Sequence, residues 1–225
     1  MSAITLRQFN NIGVLNEAVA ALLKYQFEQE YPFKHAVMLS GGNTPLEAYR
    51  LLAGRDCVVS GKLRIFLSDE RLVPEDSPAS NLGNITGLFA PLNLEEGQVV
   101  RVRSELEPER AAAQYDADLR KLFNGGGRIM LGLLGLGKDG HTASLFCRED
   151  IERGRGRYAV ATVAPDGVRR VSVTAALLAK IQQVIFVVSG PDKIEIAEKL
   201  ASRPLQVTAG AAVAGVKARQ IWFAV

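Results

Sequence analysis

The chain has 225 residues, 48% hydrophobic and 23% charged, a balance that excludes a disordered or fibrous protein and allows a core that needs no metal or disulfide staple. Its two cysteines, Cys57 and Cys147, lie far apart and outside any Cys-x-x-Cys or Cys/His cluster, which argues against zinc and iron–sulfur sites and for reduced thiols. A formal charge of +3 suits a small anionic substrate and, without a concentrated basic patch, is too weak for nucleic acid.

The opening residues show no charged segment followed by a long apolar one, and no stretch approaches about eighteen consecutive apolar residues. A cytoplasmic location with no membrane role is therefore expected. In chain order, helical spacing runs from Glu17 to Glu30, followed by a short apolar strand at Val37-Met38-Leu39. A second helix is predicted from Pro45 to Ala53, where proline fits a first turn, and a second strand at Leu63 to Leu67. A long helix from Pro108 to Phe123 ends at Gly125-Gly126-Gly127, read as a connection ahead of the strand Ile129 to Leu134. The basic, Gly-rich stretch Arg153 to Arg157 reads as a mobile loop without function. Then come the alternating Val171-Ser172-Val173-Thr174, a buried strand at Val184 to Val188, a helix from Lys193 to Ala201 and a last strand at Gln220 to Ala224. This alternation predicts one α/β domain over residues 1–225, a three-layer α/β/α arrangement around a Rossmann-like, mostly parallel sheet.

In such a sheet, ligands gather beyond the carboxyl ends of the strands, and three predicted strands end in unusual loops. Ser40-Gly41-Gly42-Asn43-Thr44 places two glycines between strand and helix, which suits a phosphate cradle of backbone N–H groups; a tight turn capped by Thr44 explains the same residues. Ser68-Asp69-Glu70-Arg71 concentrates two acids and a guanidinium that can orient a catalytic group and hold phosphate or an oxyanion, or can form a solvated ion pair. Gly135-Leu136-Gly137-Lys138-Asp139-Gly140-His141 delivers one of only two histidines to a strand end. It lacks the Gly-Lys-Ser/Thr terminus of a nucleotide P-loop, and its glycine spacing alone does not establish a dinucleotide fold. An imidazole titrates near roughly pH 6.5, so neutral His141 is placed to take a proton from water, with Asp139 or Asp69 setting its tautomer. His35, without such neighbours, reads as structural. Lys193, expected in a helix's first turn, opposes the dipole unless an anion arrives, and Arg170 is the better of two adjacent arginines to reach the same cleft. Ser144 is a weak rival nucleophile because it lacks a nucleophile-elbow signature.

Together, Ser40 to Pro45, Asp69 to Pro74 with Ser80-Asn81, Gly135 to Phe146, and Arg170 to Thr174 with Gly190 and Lys193 resemble the 6-phosphogluconolactonase family, within the broader glucosamine-6-phosphate deaminase-like α/β group. The deaminase branch typically carries a tyrosine after the Asp-Glu pair and an Ile-Ala-Phe-Asn-Glu sequence after its Gly-His; Arg71 and Thr142-Ala143-Ser144-Leu145-Phe146 stand here instead. Cys147 in place of a common proline, Val168-Arg169 before Arg170 and the ending at Val225 depart from the family pattern. The resemblance implies hydrolysis of 6-phospho-D-glucono-1,5-lactone in the oxidative pentose phosphate pathway, with no cofactor or metal. It further implies His141 as general base, Asp69, Arg71 and Asp139 as its catalytic company, and Ser40, Gly41, Gly42, Asn43, Thr44, Arg170 and Lys193 around the substrate phosphate. The expected partner is a small phosphorylated sugar lactone, and the chain is expected to act as a monomer or homodimer. Two rival functions share these residues, a sugar-phosphate isomerase or deaminase and a non-catalytic phosphosugar-binding module.

Overall fold

The computed structural model describes residues 4–225, apart from the side chains of residues 43, 88, 89 and 96. Its main sheet has seven strands in the order β1 (Thr5–Phe9), β10 (Ala218–Ala224), β9 (Ile181–Ser189), β6 (Arg128–Leu134), β2 (His35–Leu39), β3 (Leu63–Leu67) and β5 (Val99–Val100). Every neighbouring pair is parallel. Side chains alternate across a strand, so a sheet covered on both faces needs apolar residues at nearly every position. Val37, Leu39, Ile65, Leu67, Leu131 and Leu133 accordingly face one core, and Met38, Phe66, Leu134, Phe186 and Val188 the other.

Helices α1 (Ile12–Phe27), α2 (Asn43–Ala53) and α3 (Asn81–Phe89) fill the first core with Leu15, Val19, Leu23, Ala48, Leu52 and Ile85. The second core is closed by α4 (Pro108–Lys121), which contributes Ala111, Ala112, Tyr115 and Leu119, and by the short α5 (Arg148–Arg153), α6 (Ala175–Leu178), α7 (Ile194–Ser202) and α8 (Thr208–Ala212). Helix α1 begins at Ile12, earlier than the expected Glu17, because the Asn11 side chain accepts from Val14 N–H at 3.0 Å, and buried positions 15, 19, 23 and 27 then repeat every fourth residue. Arg153, expected in a loop, closes α5. None of the described helices is long and apolar enough to cross a membrane.

A second sheet is an addition to the architecture read from the sequence. Strands β4 (Asp69–Arg71), β8 (Arg169–Val173) and β7 (Ala159–Val163) pair antiparallel in that order. The chain leaves the main sheet at Ser68, whose N–H donates to Leu39 C=O at 2.8 Å and whose C=O accepts from Val173 N–H at 2.9 Å. One residue thus ends β3 and starts a sheet that leans over the strand ends. Within the main sheet, successive strands run outward from β2 to β3 and β5, then return on its other side through β6, β9 and β10. The loops after β2 and β6 therefore diverge, and a crevice opens between them.

Candidate active site

The crevice is a cavity of about 350 Å³ lined by residues from five strand ends, among them Ser40, Thr44, Asp69, Arg71, His141, Arg170 and Lys193. Two buried tyrosines from opposite layers fix its floor. Tyr49 of α2 donates to Ser40 C=O at 2.9 Å and accepts from Ser40 N–H at 3.1 Å, while Tyr115 of α4 donates to Leu67 C=O at 2.6 Å. Burial pushes both phenols far above their ordinary range, so the hydroxyls stay protonated and keep these bonds.

His141 Nδ1 lies 2.6 Å from Asp139 Oδ1, and the same oxygen accepts the His141 backbone N–H at 3.2 Å. Burial pushes the Asp139 carboxyl up, but these bonds outweigh it and leave the group below the usual carboxylate range. An ionised Asp139 assigns the ring proton to Nδ1 and leaves Nε2 as the acceptor. The pair depends on Gly137: a Cβ there would stand 2.2 Å from His141 Nδ1 and 2.4 Å from Asp139 Oδ1. Phe146 packs its ring 4.9 Å from the imidazole and also lies 5.6 Å from the Arg170 guanidinium carbon, so one aromatic side chain touches both functional groups.

Of the two acids that compete for His141, Asp69 is engaged elsewhere. Its carboxylate accepts from Ser68 Oγ at 2.8 Å and Ser144 Oγ at 2.7 Å, both buried. That bond also commits the Ser144 hydroxyl, which is not among the residues lining the cavity. Glu70 is a girder: its carboxylate accepts backbone N–H groups of Arg71 at 2.7 Å, Asn81 at 2.8 Å and Leu82 at 2.6 Å, tying β4 to the start of α3. Burial raises the Glu70 carboxyl above its usual range, against the pull of those three donors.

Arg71 and Arg170 are direct partners across the antiparallel β4–β8 pair. Like charges in that relation repel, so the arrangement is favourable when an anion lies between them. Arg71 donates to Ala79 C=O at 2.7 Å, Arg170 reaches Asp166 at 3.4 Å, and the Nε of each is buried without a partner. Lys193, expected in a first α-helical turn, lies one residue earlier in a 3-10 turn, Pro191–Lys193, because Pro191 and Gly190 start that turn ahead of α7. Its ammonium donates to Leu136 C=O, and burial pushes it below the ordinary lysine range while Asp192 pulls it back. Arg169 points instead toward Glu107, at 3.5 Å.

Helix α2 starts earlier than predicted. Gly42 is its N-cap and no side chain caps it, so Thr44 is not the cap; Thr44 Oγ1 lies 3.1 Å from Ser189 Oγ across the crevice. The first-turn N–H groups at the cavity are thus left for a ligand or water. Gly41 does not line the cavity: a Cβ there would fall 2.1 Å from Asn81 Cγ, so its bare Cα lets the β2 loop close against α3. Asn43 opens α2, and its side chain lies outside the described ones. Asn81, quoted with the motifs but given no role there, and Ser189, outside all of them, are cavity residues absent from the expected site. Asn81 donates to Asp69 C=O at 2.9 Å, a long-range contact with no local sequence signature. Ser189 was detectable as the residue just past the strand Val184 to Val188. Among the described residues, no group of three or more His, Cys, Asp or Glu side chains is arranged to hold a metal ion.

Residues 12–222 match the family model described as glucosamine-6-phosphate isomerases/6-phosphogluconolactonase. The 6-phosphogluconolactonase of Thermotoga maritima is 35% identical over 192 residues, covering 83% of this chain and 82% of that protein, and the enzyme of the same name from Treponema pallidum is 36% identical over 197 residues, with 83% and 81% covered. The crystal structure of the Thermotoga maritima protein superposes with a TM-score of 0.80 at 28% identity, covering 98% of each chain. A monomeric glucosamine-6-phosphate deaminase also reaches a TM-score of 0.80, at 14% identity over 98% of this chain and 97% of that one, so the fold is common to both branches. The chain belongs to the glucosamine-6-phosphate isomerase/6-phosphogluconolactonase family, and its close sequence relatives place it on the lactone-hydrolysing side.

Proposed function

We propose that this chain hydrolyses 6-phospho-D-glucono-1,5-lactone to 6-phospho-D-gluconate, in the oxidative pentose phosphate pathway, with His141 as general base. The observation that carries the reading is the Asp139–His141 pair at 2.6 Å, set in a cavity that the cross-strand arginines Arg71 and Arg170 also line. The substrate phosphate, with close to two negative charges, is held by Arg170, Lys193 and the uncapped N–H groups of Gly42, Asn43 and Thr44, with Ser40 and Gly41 shaping the turn that presents them. Binding energy at that remote group then orients the lactone carbonyl near His141.

His141 Nε2 takes a proton from water as the water oxygen bonds to the carbonyl carbon. The carbonyl oxygen gains negative charge, which Arg71 and neighbouring backbone amides stabilise. When the tetrahedral centre collapses, its bond to the ring oxygen breaks and protonated His141 returns the proton to that oxygen, giving the open acid. Asp139 keeps the imidazole in the required tautomer, and Asp69 acts through the loop geometry that its two serine donors lock. The unit is the whole chain, because the cavity draws residues from positions 40 to 193, and a cytoplasmic location belongs to the same proposal.

The test is hydrolysis of freshly generated lactone, followed with a pH indicator and corrected for spontaneous opening, alongside ammonia release from glucosamine 6-phosphate. Acceleration of the first reaction with no ammonia from the second is the expected result. Ammonia release without lactone hydrolysis by folded protein would move the assignment to the deaminase branch.

A further inference from the structure

A larger concavity lies elsewhere on the molecule, along the β5 edge of the main sheet. It measures about 800 Å³ and takes its walls from the start of β2, from α3, and from the end of α4. None of its lining residues belongs to the crevice just described. The edge is short, since β5 has two residues against five in β3, so the sheet stops early here.

Its chemistry has two parts. Leu82, Leu94, Val99, Val100 and Leu122 supply an apolar wall, with Ala36 beneath it. Around that wall stand Lys34, Arg64, Arg101, Arg103 and Lys121, against the acids Glu75, Glu95 and Asp118. Lys121 is neutralised by Asp118 at 2.7 Å, and Arg101 reaches Glu105 only at 3.5 Å between two exposed side chains. Lys34, Arg64 and Arg103 form no ion pair with any described residue, and Arg64 Nη1 instead donates to the carbonyls of Gly61 at 3.0 Å and Leu63 at 2.7 Å. Among the described residues, then, Lys34, Arg64 and Arg103 have no carboxylate at ion-pair distance, Arg103 acting on Asp118 only from farther off, and they stand beside the partly exposed Leu94, Val99 and Val100, which gain by being covered.

We propose that this groove binds a nucleotide carrying several phosphates, its base against the Leu94–Val99 wall and its phosphates on Lys34, Arg64 and Arg103. An inorganic anion would satisfy the cations and leave the apolar wall wet, and a purely apolar ligand would leave the cations unused. A sugar phosphate is small for a concavity more than twice the volume of the active-site crevice. A nucleotide supplies a flat apolar body and concentrated negative charge in one molecule.

The experiment titrates ATP into the full chain by calorimetry and by amide chemical shifts, with inorganic tripolyphosphate as the charge-only control and 6-phosphogluconate as the competitor for the crevice. The expected result is ATP binding that shifts Val99, Val100 and Arg103 amides, survives saturating 6-phosphogluconate, and weakens about tenfold or more in a Lys34→Glu/Arg103→Glu double variant. Both side chains are exposed, so the variant should fold, and its lactone hydrolysis should be unchanged. No binding at millimolar ATP overturns the proposal, as does binding that 6-phosphogluconate displaces. Tripolyphosphate binding as tightly as ATP overturns the nucleotide assignment. Each of these failures leaves the lactone-hydrolysis reading untouched, because that reading is measured on the crevice.

Discussion

The two histidines of this chain lie at opposite ends of the same parallel sheet. His35 opens β2 at the amino end, 1% exposed, with Nε2 at 3.2 Å from Gln26 C=O and its ring edge-on to Tyr31 at 5.0 Å. His141 follows β6 at the carboxyl end, with its side chain 30% exposed and an aspartate on Nδ1. At the amino end of β2, the last turn of α1 and the segment carrying Tyr31 pack on the His35 ring and desolvate it. At the carboxyl ends, the loops splay apart at the switch in strand order and leave a side chain both held and reachable. Imidazole chemistry is the same in both places, so position in the sheet separates a ring buried in the packing from a reachable one that the proposed mechanism uses as its base.

The largest effect that can break this contrast is on rate. His141→Ala should lower kcat for lactone hydrolysis by about 10²–10⁴-fold, the usual contribution of a positioned base, with the fold retained by circular dichroism. Full activity in that variant would end the general-base reading. Gly137→Ala sharpens the comparison without touching the imidazole. The new methyl needs the space held by His141 Nδ1 and Asp139 Oδ1, and the ring must rotate away. We expect a loss of about 10- to 100-fold in kcat, in line with a displacement of order 1 Å at a reacting group, and little change in KM. An unchanged kcat would mean that the loop yields and that the pair is not under steric control.

How far this contrast was legible beforehand depended on the range of the interaction. The loops at Ser40 to Thr44, Ser68 to Arg71 and Gly135 to His141 announced themselves because glycines and charges directly after apolar strands have few structural uses. The alternation at Val171 to Thr174 marked β8, but its partners β4 and β7 did not stand out: β4 is three residues long and contains only charged side chains. The Arg71–Arg170 partnership depends on that register and was invisible for the same reason. The choice between Asp139 and Asp69 was also beyond sequence, since Asp69 is occupied by Ser144, seventy-five positions away. Lys193 was misplaced by one element because a 3-10 turn and the first turn of an α-helix share their proline signal.

A smaller rate effect separates tautomer control from charge. Asp139→Asn retains an oxygen that can accept from Nδ1–H and loses the negative charge that favours the imidazolium. The Asp139 side chain is 55% exposed, so water screens much of that charge. A fall in kcat of about tenfold is expected, measured at saturating lactone, with a larger fall in Asp139→Ala, where the acceptor also goes. Equal losses in the two variants would show that charge, rather than the tautomer, is what Asp139 supplies.

The smallest effect concerns the other histidine and is read in stability. Burial holds the His35 imidazole below its ordinary range, and the bond to Gln26 C=O only partly offsets this. The native ring stays neutral while the unfolded ring takes up a proton as pH falls through about 6.5. In that window the unfolded state binds more protons, so this residue's contribution is present above pH 6.5 and is lost as pH falls toward the depressed native value. Urea unfolding between pH 7.5 and 5 should therefore show stability falling with acid, by at most about 1.4 kcal/mol per pH unit from this group. His35→Gln keeps a donor for Gln26 C=O, removes the titration and loses the edge contact with Tyr31. It should cost about 1 kcal/mol at neutral pH, flatten that slope and leave kcat unchanged. A variant that keeps the slope would place the titrating group elsewhere, and one that loses kcat would mean that the two ends of the sheet are not as separate as their packing implies.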